Sequence, residues 1–133
     1  MSRKTEYTGR YKLSKNEFGY AKWYSLKYYE WLDEYNALKD SVKAIQYSDA
    51  PKGSGKSDPT EKLAERRAEL RRKMLKIENA AVDAGGDIAK YILLAVINED
   101  MTFDKLKAKG MPCERTYFYE KRRKYYWLLS KEI

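Results

Sequence analysis

The chain has 133 residues, of which 43 % are hydrophobic and 36 % are charged, and its formal net charge is +8. This composition suits one compact domain, or a small domain with a helical extension, and excludes a chain that is disordered by composition. The longest apolar run, Tyr91 to Ile97, is far shorter than a membrane span, and the first residues lack the apolar stretch of a signal peptide. We therefore expect a cytoplasmic protein that does not engage a membrane.

Histidine is absent, and cysteine occurs once, as Cys113. Without histidine the chain lacks the commonest general base, and with one cysteine it can form neither an intrachain disulfide nor the usual Cys/His zinc sites. The Asp and Glu residues do not pair in an apolar setting that would suit catalysis. We therefore expect a protein that is not an enzyme and that needs no metal or cofactor.

A long helix is predicted from about Ser14, a suitable N-cap with Glu17 three positions later, to about Gln46. Its aromatic and apolar residues recur at alternating spacings of four and three, which is typical of a coiled-coil seam. The seam consists of Tyr24, Tyr28, Trp31, Tyr35, Leu38, Val42 and Ile45. Such a stripe must be covered, so the helix is expected to pack on another helix of its own chain or of a second copy, as a homodimer. The alternative is a surface that stacks on an aromatic ligand or on nucleic acid.

The segment from Asp49 to Thr60 is a linker by composition, because it is rich in proline, glycine and serine. It contains Gly55-Lys56-Ser57, which resembles the end of a phosphate-binding loop. That pattern requires glycine five positions before Gly55, where Ala50 stands, and it follows a strand, whereas a helix is predicted here. Nucleotide binding is therefore not expected in the linker.

A second long helix is predicted with Asp58 as its N-cap, Pro59 in its first turn and an end at about Ala84, before two glycines. Its apolar face, which Arg67 interrupts, consists of Leu63, Leu70, Met74, Ile77 and Ala81. The basic run on this helix is interpreted as a solvated face, with a binding surface as the alternative. This run consists of Arg66, Arg67, Arg71, Arg72 and Lys73.

A third helix, capped by Asp87 and ending at about Glu99, is apolar on most sides, which predicts a buried central helix. The chain is thus divided into a long helix in residues 1–48, a linker in residues 49–60, a second helix in residues 61–84 and a C-terminal domain in residues 85–133. The predicted fold class is all-α, with the first two helices paired and a three-helix domain after them.

The end of the chain has the pattern of a short helix, a turn and a long helix. Thr102 is a good N-cap for a short helix that Gly110 ends with a positive φ, and Met111 is expected to fill the turn. A longer helix then starts at Pro112 or Cys113. Its inward stripe is predicted to consist of Phe118, Tyr125 and Leu129. This order of elements is typical of a helix-turn-helix.

Positive charge is concentrated in the same segment. Between Thr102 and Ile133 there are nine basic and four acidic residues, a net charge of +5. Residues at the start of the longer helix are predicted to reach base edges in the major groove of DNA, with Arg115 as the best candidate to recognise a guanine. They are Glu114, Arg115, Thr116 and Tyr119. The residues predicted to bind phosphates are Lys121, Arg122, Arg123 and Lys124.

The alternative interpretation of this segment is a basic C-terminal helix on a helical bundle, with solvated charges and no DNA contact. We favour DNA docking because helix pattern, turn and charge agree. The expected partner is double-stranded DNA, with RNA polymerase as a further candidate.

The sequence resembles phage and prophage transcriptional regulators of the RinA and ArpU type, whose C-terminal part is similar to the promoter-recognition domain (region four) of sigma factors. The resemblance extends from about Phe18 to Leu129 in layout. Its most specific parts are Ser-Asp-Pro-Thr at residues 57–60 and Thr-Tyr-Phe-Tyr-x-x-Arg-Arg at residues 116–123. It implies a sigma-like DNA-binding protein that controls late phage genes.

The chain departs from the sigma pattern in two ways. Sigma-like domains usually have a serine where Pro112-Cys113 stand, and they rarely carry so many aromatic residues late in the recognition helix. Two alternative functions remain open at this point. One is a small terminase subunit for DNA packaging, and the other is a helical adaptor that binds protein through the aromatic seam.

Overall fold

The computed structural model describes residues 10–46 and 59–133, with side chains throughout except at residues 42–46. In this part of the chain every regular element is a helix, which confirms the predicted all-α class. The α-helices are α1 (Lys15–Leu26), α2 (Tyr28–Gln46), α3 (Pro59–Gly85), α4 (Ala89–Ile97), α5 (Phe103–Ala108) and α6 (Arg115–Ser130). A 3₁₀ turn, Gly86–Ile88, joins α3 to α4.

The chain divides into two compact units. The larger unit consists of the residues up to Tyr28 together with Lys76–Ile133, and the helix-pair unit consists of Tyr29–Leu75. The predicted division places a boundary near residue 84, whereas the larger unit also includes α1 and the end of α3. This difference arises because α1 packs directly on α4 and α6.

The predicted long helix is two helices, which corrects the expectation of one element from Ser14 to Gln46. Its start is as predicted: Ser14 Oγ accepts from the Glu17 N–H at 3.1 Å, and Glu17 Oε1 accepts from the Ser14 N–H at 2.8 Å. The helix then ends at Leu26, where the Lys27 N–H bonds back to the Tyr24 carbonyl at 3.2 Å. Such i→i−3 bonds tighten and close a helix end.

In the helix-pair unit, α2 lies along α3 of the same chain. Trp31 is 6 % exposed, and the Lys73 ammonium lies 5.2 Å from its ring centroid. The Arg67 guanidinium lies 4.2 Å from the ring centroid of Tyr35. The aromatic seam is therefore covered within the chain at these two positions, so they give no argument for a homodimer.

The basic run on α3 is only partly a solvated face. Arg66 donates from Nε and Nη2 to the Glu34 carboxylate at 2.7 and 3.0 Å, and from Nη1 to Glu69 at 2.6 Å. This bidentate geometry is stronger than that of an ordinary surface pair. Part of the basic run thus holds α3 to α2, whereas Arg71 and Arg72 are exposed.

The larger unit is built around α4 and the second half of α6. Ile92 and Val96 of α4 are at most 1 % exposed, in agreement with the prediction of a buried helix. The predicted N-cap is wrong, because α4 begins at Ala89 after the 3₁₀ turn and has no side-chain cap. The Asp87 carboxylate instead accepts a hydrogen bond from the Tyr117 hydroxyl at 3.3 Å.

Helix α1 covers the end of α6. Phe18 contacts Tyr126 edge to face, with ring centroids 5.1 Å apart. Ser25 Oγ and the Tyr125 hydroxyl are 2.7 Å apart, and Ser25 also donates to the Ala21 carbonyl at 2.8 Å. Since serine has one proton to donate, the Tyr125 hydroxyl is the donor in the contact between the helices.

Several predictions lie outside the described residues: residues 49–58 of the linker with the Gly55-Lys56-Ser57 motif, the Asp58 cap, and the side chains of Val42 and Ile45. Pro59 opens α3 as predicted, and α3 ends at Gly85 before Gly86, which has a φ of +55°. Among the described helices, none has both the length and the apolar character required to cross a membrane.

Candidate nucleic-acid interface

Helix α5 is the short first helix of the predicted helix-turn-helix. The Thr102 hydroxyl caps it by accepting from the Lys105 N–H at 3.2 Å, as predicted. Phe103 and Leu106 are 8 and 0 % exposed and form its inner face. The helix is therefore anchored at its start and by one side, while Lys105 and Lys107 remain exposed.

The turn after α5 has the predicted construction. Gly110 has a φ of +100°, a conformation that residues with a side chain rarely adopt. The next residue, Met111, is 2 % exposed, and its N–H bonds to the Leu106 carbonyl at 3.1 Å. The Lys107 ammonium donates to the Cys113 carbonyl at 3.2 Å, which joins α5 to the end of the turn.

Helix α6 starts at Arg115, two to three residues later than predicted. Glu114 has the extended conformation of an N-cap but makes no side-chain cap bond. The inward stripe is as predicted: Phe118, Tyr125 and Leu129 are each at most 1 % exposed. Packing therefore anchors the helix along one side and leaves the opposite side of its first turns outside the core.

A cluster of three aromatic rings joins α5 to α6. Phe103 contacts Phe118 with ring centroids 5.7 Å apart, and it stacks on Tyr119 at 6.4 Å. Tyr119 in turn meets Phe118 edge to face at 5.0 Å. Each aromatic contact of this kind adds about 0.5–1.5 kcal/mol to the burial of its rings, which stabilises the packing of the two helices. Tyr119 is consequently half-buried in the packing between α5 and α6.

Arg115 lies at the surface, at the start of α6. Its guanidinium is 4.5 Å from the ring centroid of Phe103, and its side chain is 59 % exposed. It forms a long ion pair of 3.4 Å with Asp104, whose side chain is 84 % exposed. An exposed pair of this kind is weak, so the guanidinium can exchange Asp104 for another acceptor at little cost.

The other predicted site residues do not share one surface. Glu114 and Thr116 are exposed beside Arg115, whereas Lys121, Arg123 and Lys124 are half-exposed farther along α6. The Lys121 ammonium lies 5.1 Å from the ring centroid of Tyr117. Their contact with DNA remains a prediction.

Arg122 has a different environment from the other predicted phosphate contacts. Its guanidinium lies 5.7 Å from the ring centroids of both Tyr119 and Tyr126, and it lines a crevice against α1. Arg122 is therefore held by aromatic contacts rather than extended into solvent.

Tyr117 is a further candidate for contact with DNA, and it is not among the residues predicted from the sequence. It is 39 % exposed on the first turn of α6, and its hydroxyl donates to Asp87. Partial burial and the neighbouring Asp87 carboxylate raise the pKa of the Tyr117 hydroxyl above its usual value. The sequence feature that could have identified Tyr117 is its position within the Thr-Tyr-Phe-Tyr motif. The exposure of one tyrosine and the burial of its neighbour depend on tertiary packing.

Taken together, the segment from Thr102 onward forms a braced helix whose first turn is anchored in the core by Phe118 and carries the exposed Arg115. Comparison of this chain with protein-family models, with curated proteins and with solved structures finds no match.

Proposed function

We propose that this protein is a non-enzymatic DNA-binding transcriptional regulator that docks α6 in the major groove. The observation that supports this proposal most is the position of Arg115, which is exposed at the start of a helix that follows a tight glycine turn. An arginine in that position can donate two hydrogen bonds to the edge of a guanine. The rings of Phe103 and Phe118 hold the helix from behind, which reduces the entropy lost on binding.

The distribution of charge supports the same role. Exposed lysines lie on α5 and in the turn before α6, and the half-exposed Lys121, Arg123 and Lys124 lie farther along α6. Neutralising phosphates with such side chains releases counterions and provides most of the affinity for any duplex. In this proposal Arg115 supplies sequence preference, and these cations supply strength and orientation.

The regulatory role rests on the resemblance to phage regulators of the RinA and ArpU type. Under that role the protein acts in the cytoplasm on late phage genes, and RNA polymerase is a candidate partner. The aromatic residues late in α6 depart from the sigma pattern, and Tyr125 and Tyr126 provide the surface on which α1 packs. These aromatic residues therefore pack on α1, whereas Arg115 at the start of α6 is exposed.

The experiment is selection of bound duplexes from a random library, followed by titration of a selected duplex across salt concentrations. We expect a defined sequence to be enriched, and log K to fall linearly with log salt at a slope that reports several phosphates. Failure of the wild-type protein to bind any duplex at about 50 mM salt would contradict the proposal. Arg72→Ala, which removes an exposed arginine of the helix-pair unit, is the matched control and should bind like the wild type.

The two alternative functions have separate tests. A small terminase subunit would form a ring of several copies, which light scattering distinguishes from a monomer or dimer. An adaptor acting through the aromatic seam would keep its cellular activity after replacement of Arg115, Arg122 and Arg123 by alanine. Trp31 and Tyr35 already pack on α3, which disfavours an adaptor that uses this seam.

A further inference from the structure

A crevice of about 180 Å³ lies in the larger unit, beside the start of the helix-turn-helix. Helix α1 lines one side of it with Lys22, and α6 lines another with Tyr119 and Arg122. Phe103 and the exposed Glu99 also line the crevice. The crevice is therefore lined by two cationic side chains and one carboxylate, together with aromatic and apolar groups.

The two cations have no acceptor of their own. In the described part of the chain, neither Lys22 nor Arg122 forms a hydrogen bond or an ion pair, and the Nε of Arg122 is shielded from solvent. Contacts with the rings of Tyr119 and Tyr126 hold the Arg122 guanidinium in place. A guanidinium that aromatic contacts hold in place, with its Nη donors unused, in the same crevice as a second cation, is suited to bind an anion with several oxygen atoms.

The crevice is also close to the predicted base-reading residue. Phe103 lines the crevice, and the Arg115 guanidinium lies 4.5 Å from the centroid of the same ring. The arginine proposed to enter the major groove thus contacts a ring that also lines the crevice. The sugar–phosphate strands border the major groove, which is only about 12 Å wide. A side chain that contacts a base edge in this groove therefore has a backbone phosphate close to it.

We propose that the crevice holds one backbone phosphate of the bound duplex, between Arg122 of α6 and Lys22 of α1. This proposal rests on the proposed function and extends it, because it makes α1 part of the DNA interface. Lys22 lies far from the helix-turn-helix in sequence and reaches the crevice because α1 packs on α4 and α6. The phosphate would supply the acceptor that both cations lack.

The test uses the full-length protein, a selected duplex, and the variants Lys22→Gln, Arg122→Gln and the double variant. If both cations hold the same phosphate, the double variant contacts one phosphate fewer than the wild type, so the slope of log K against log salt changes by ~0.9. If the two cations held two separate phosphates, this slope would change by about twice as much. When the salt concentration rises from about 50 to about 200 mM, both proteins lose affinity for the duplex. The factor by which the double variant loses affinity should be about threefold smaller than the factor for the wild type. Circular dichroism and thermal unfolding establish that each variant is folded.

Neutral methylphosphonate linkages, placed one at a time in the duplex, identify the phosphate directly. We expect one linkage to weaken binding by the wild type and to have no effect on binding by the double variant. If every linkage weakens both proteins by the same factor, or if the two single variants act additively on the salt slope, the proposal is wrong.

Two further variants sharpen the measurement. Lys15→Gln removes the same charge from the same helix outside the crevice, and it should leave the response to that linkage unchanged. Glu99→Gln removes the carboxylate of the crevice, so it should tighten duplex binding. Weaker binding by Glu99→Gln would contradict an anion site.

Inorganic phosphate distinguishes a second source of the same chemistry. If the free protein binds phosphate, the double variant does not, and no methylphosphonate linkage has a selective effect, then the DNA backbone is not the ligand and the proposal is overturned. The proposed function fails separately, when the wild type binds no duplex. Sequence-selective binding that the Lys22 and Arg122 variants leave intact would overturn only the crevice proposal.

Discussion

Single residues determine which side chains of the first turn of α6 are exposed to solvent. Gly110 allows the chain to reverse, Met111 anchors the reversal in the core, and Arg115 follows at the surface. Phe118, one helical turn later, is 1 % exposed. Within nine residues the chain thus alternates between buried anchors and an exposed basic group. This alternation is the local basis of the proposed DNA contact.

Arg115→Ala should weaken binding to a selected duplex by about 1–3 kcal/mol and relax specificity at one base position. The physical reason is the loss of two hydrogen bonds to a base edge. Lys121→Ala should weaken binding to all duplexes alike and lower the salt slope by about one. Fluorescence anisotropy with selected and scrambled duplexes measures both effects. Equal loss on the two duplexes for Arg115→Ala would remove it from base recognition.

Gly110→Ala should destabilise the protein by about 1–2 kcal/mol, because a side chain disfavours the positive φ at this position. The cost is conformational, since an added Cβ would meet only the Tyr91 hydroxyl at an ordinary 3.7 Å. Urea denaturation measures the change. Gly19→Ala is the control: Gly19 lies within α1 with no atom close to an added Cβ, so this substitution should stabilise the protein. A neutral Gly110→Ala would contradict the assigned turn.

At the scale of elements, the end of α1 separates two packing environments. Tyr24 belongs to the larger unit and Trp31 to the helix-pair unit, although both lie on one predicted seam. The interval between them contains neither glycine nor proline, so local sequence provides no signal for a helix end at Leu26. The heptad pattern correctly placed Tyr24 and Trp31 on packing faces and wrongly predicted one continuous helix.

Ser14→Ala should lower the free energy of unfolding by about 1 kcal/mol, because it removes the hydroxyl that caps α1. Since α1 packs on α6, the loss should appear in the cooperative unfolding of the larger unit. Thermal unfolding followed by circular dichroism provides the measurement. Ser41→Ala, at an exposed position inside α2, is the control and should have almost no effect. An equal effect of the two substitutions would argue against the capping box.

At the scale of the whole molecule, buried tyrosines link α1 to α6. Burial raises the pKa of Tyr24 to about 12, and burial also raises the pKa of Tyr125 strongly. Both groups are therefore protonated in the folded larger unit under conditions in which unfolded tyrosines have begun to ionise. Because folding retains protons that the unfolded chain has released, stability must fall as the pH rises in this range.

The free energy of unfolding should accordingly be insensitive to these tyrosines below about pH 10 and should decline as the pH rises above it. Urea denaturation at a series of alkaline pH values measures the decline. Tyr125→Phe removes one of the two groups, so its decline should be shallower, whatever its stability at neutral pH. An identical slope for the wild type and Tyr125→Phe would show that Tyr125 does not contribute.

The sequence by itself determined the elements whose signals are local. The cap at Thr102, the turn at Gly110, the stripe of Phe118, Tyr125 and Leu129, and the all-α class all follow from side chains within a few residues of one another. Backbone conformation and helical periodicity depend on such neighbours, which is why these predictions agree with the structure.

Only the tertiary structure decided what lies far apart along the chain. The end of α1 at Leu26, the contact of Ser25 with Tyr125, and the approach of Lys22 to Arg122 each depend on which helix faces which. A hydrophobic stripe specifies that it will be covered but not by which partner, because apolar burial is non-directional. For that reason the long helix was predicted whole, and the crevice beside α6 was not foreseen.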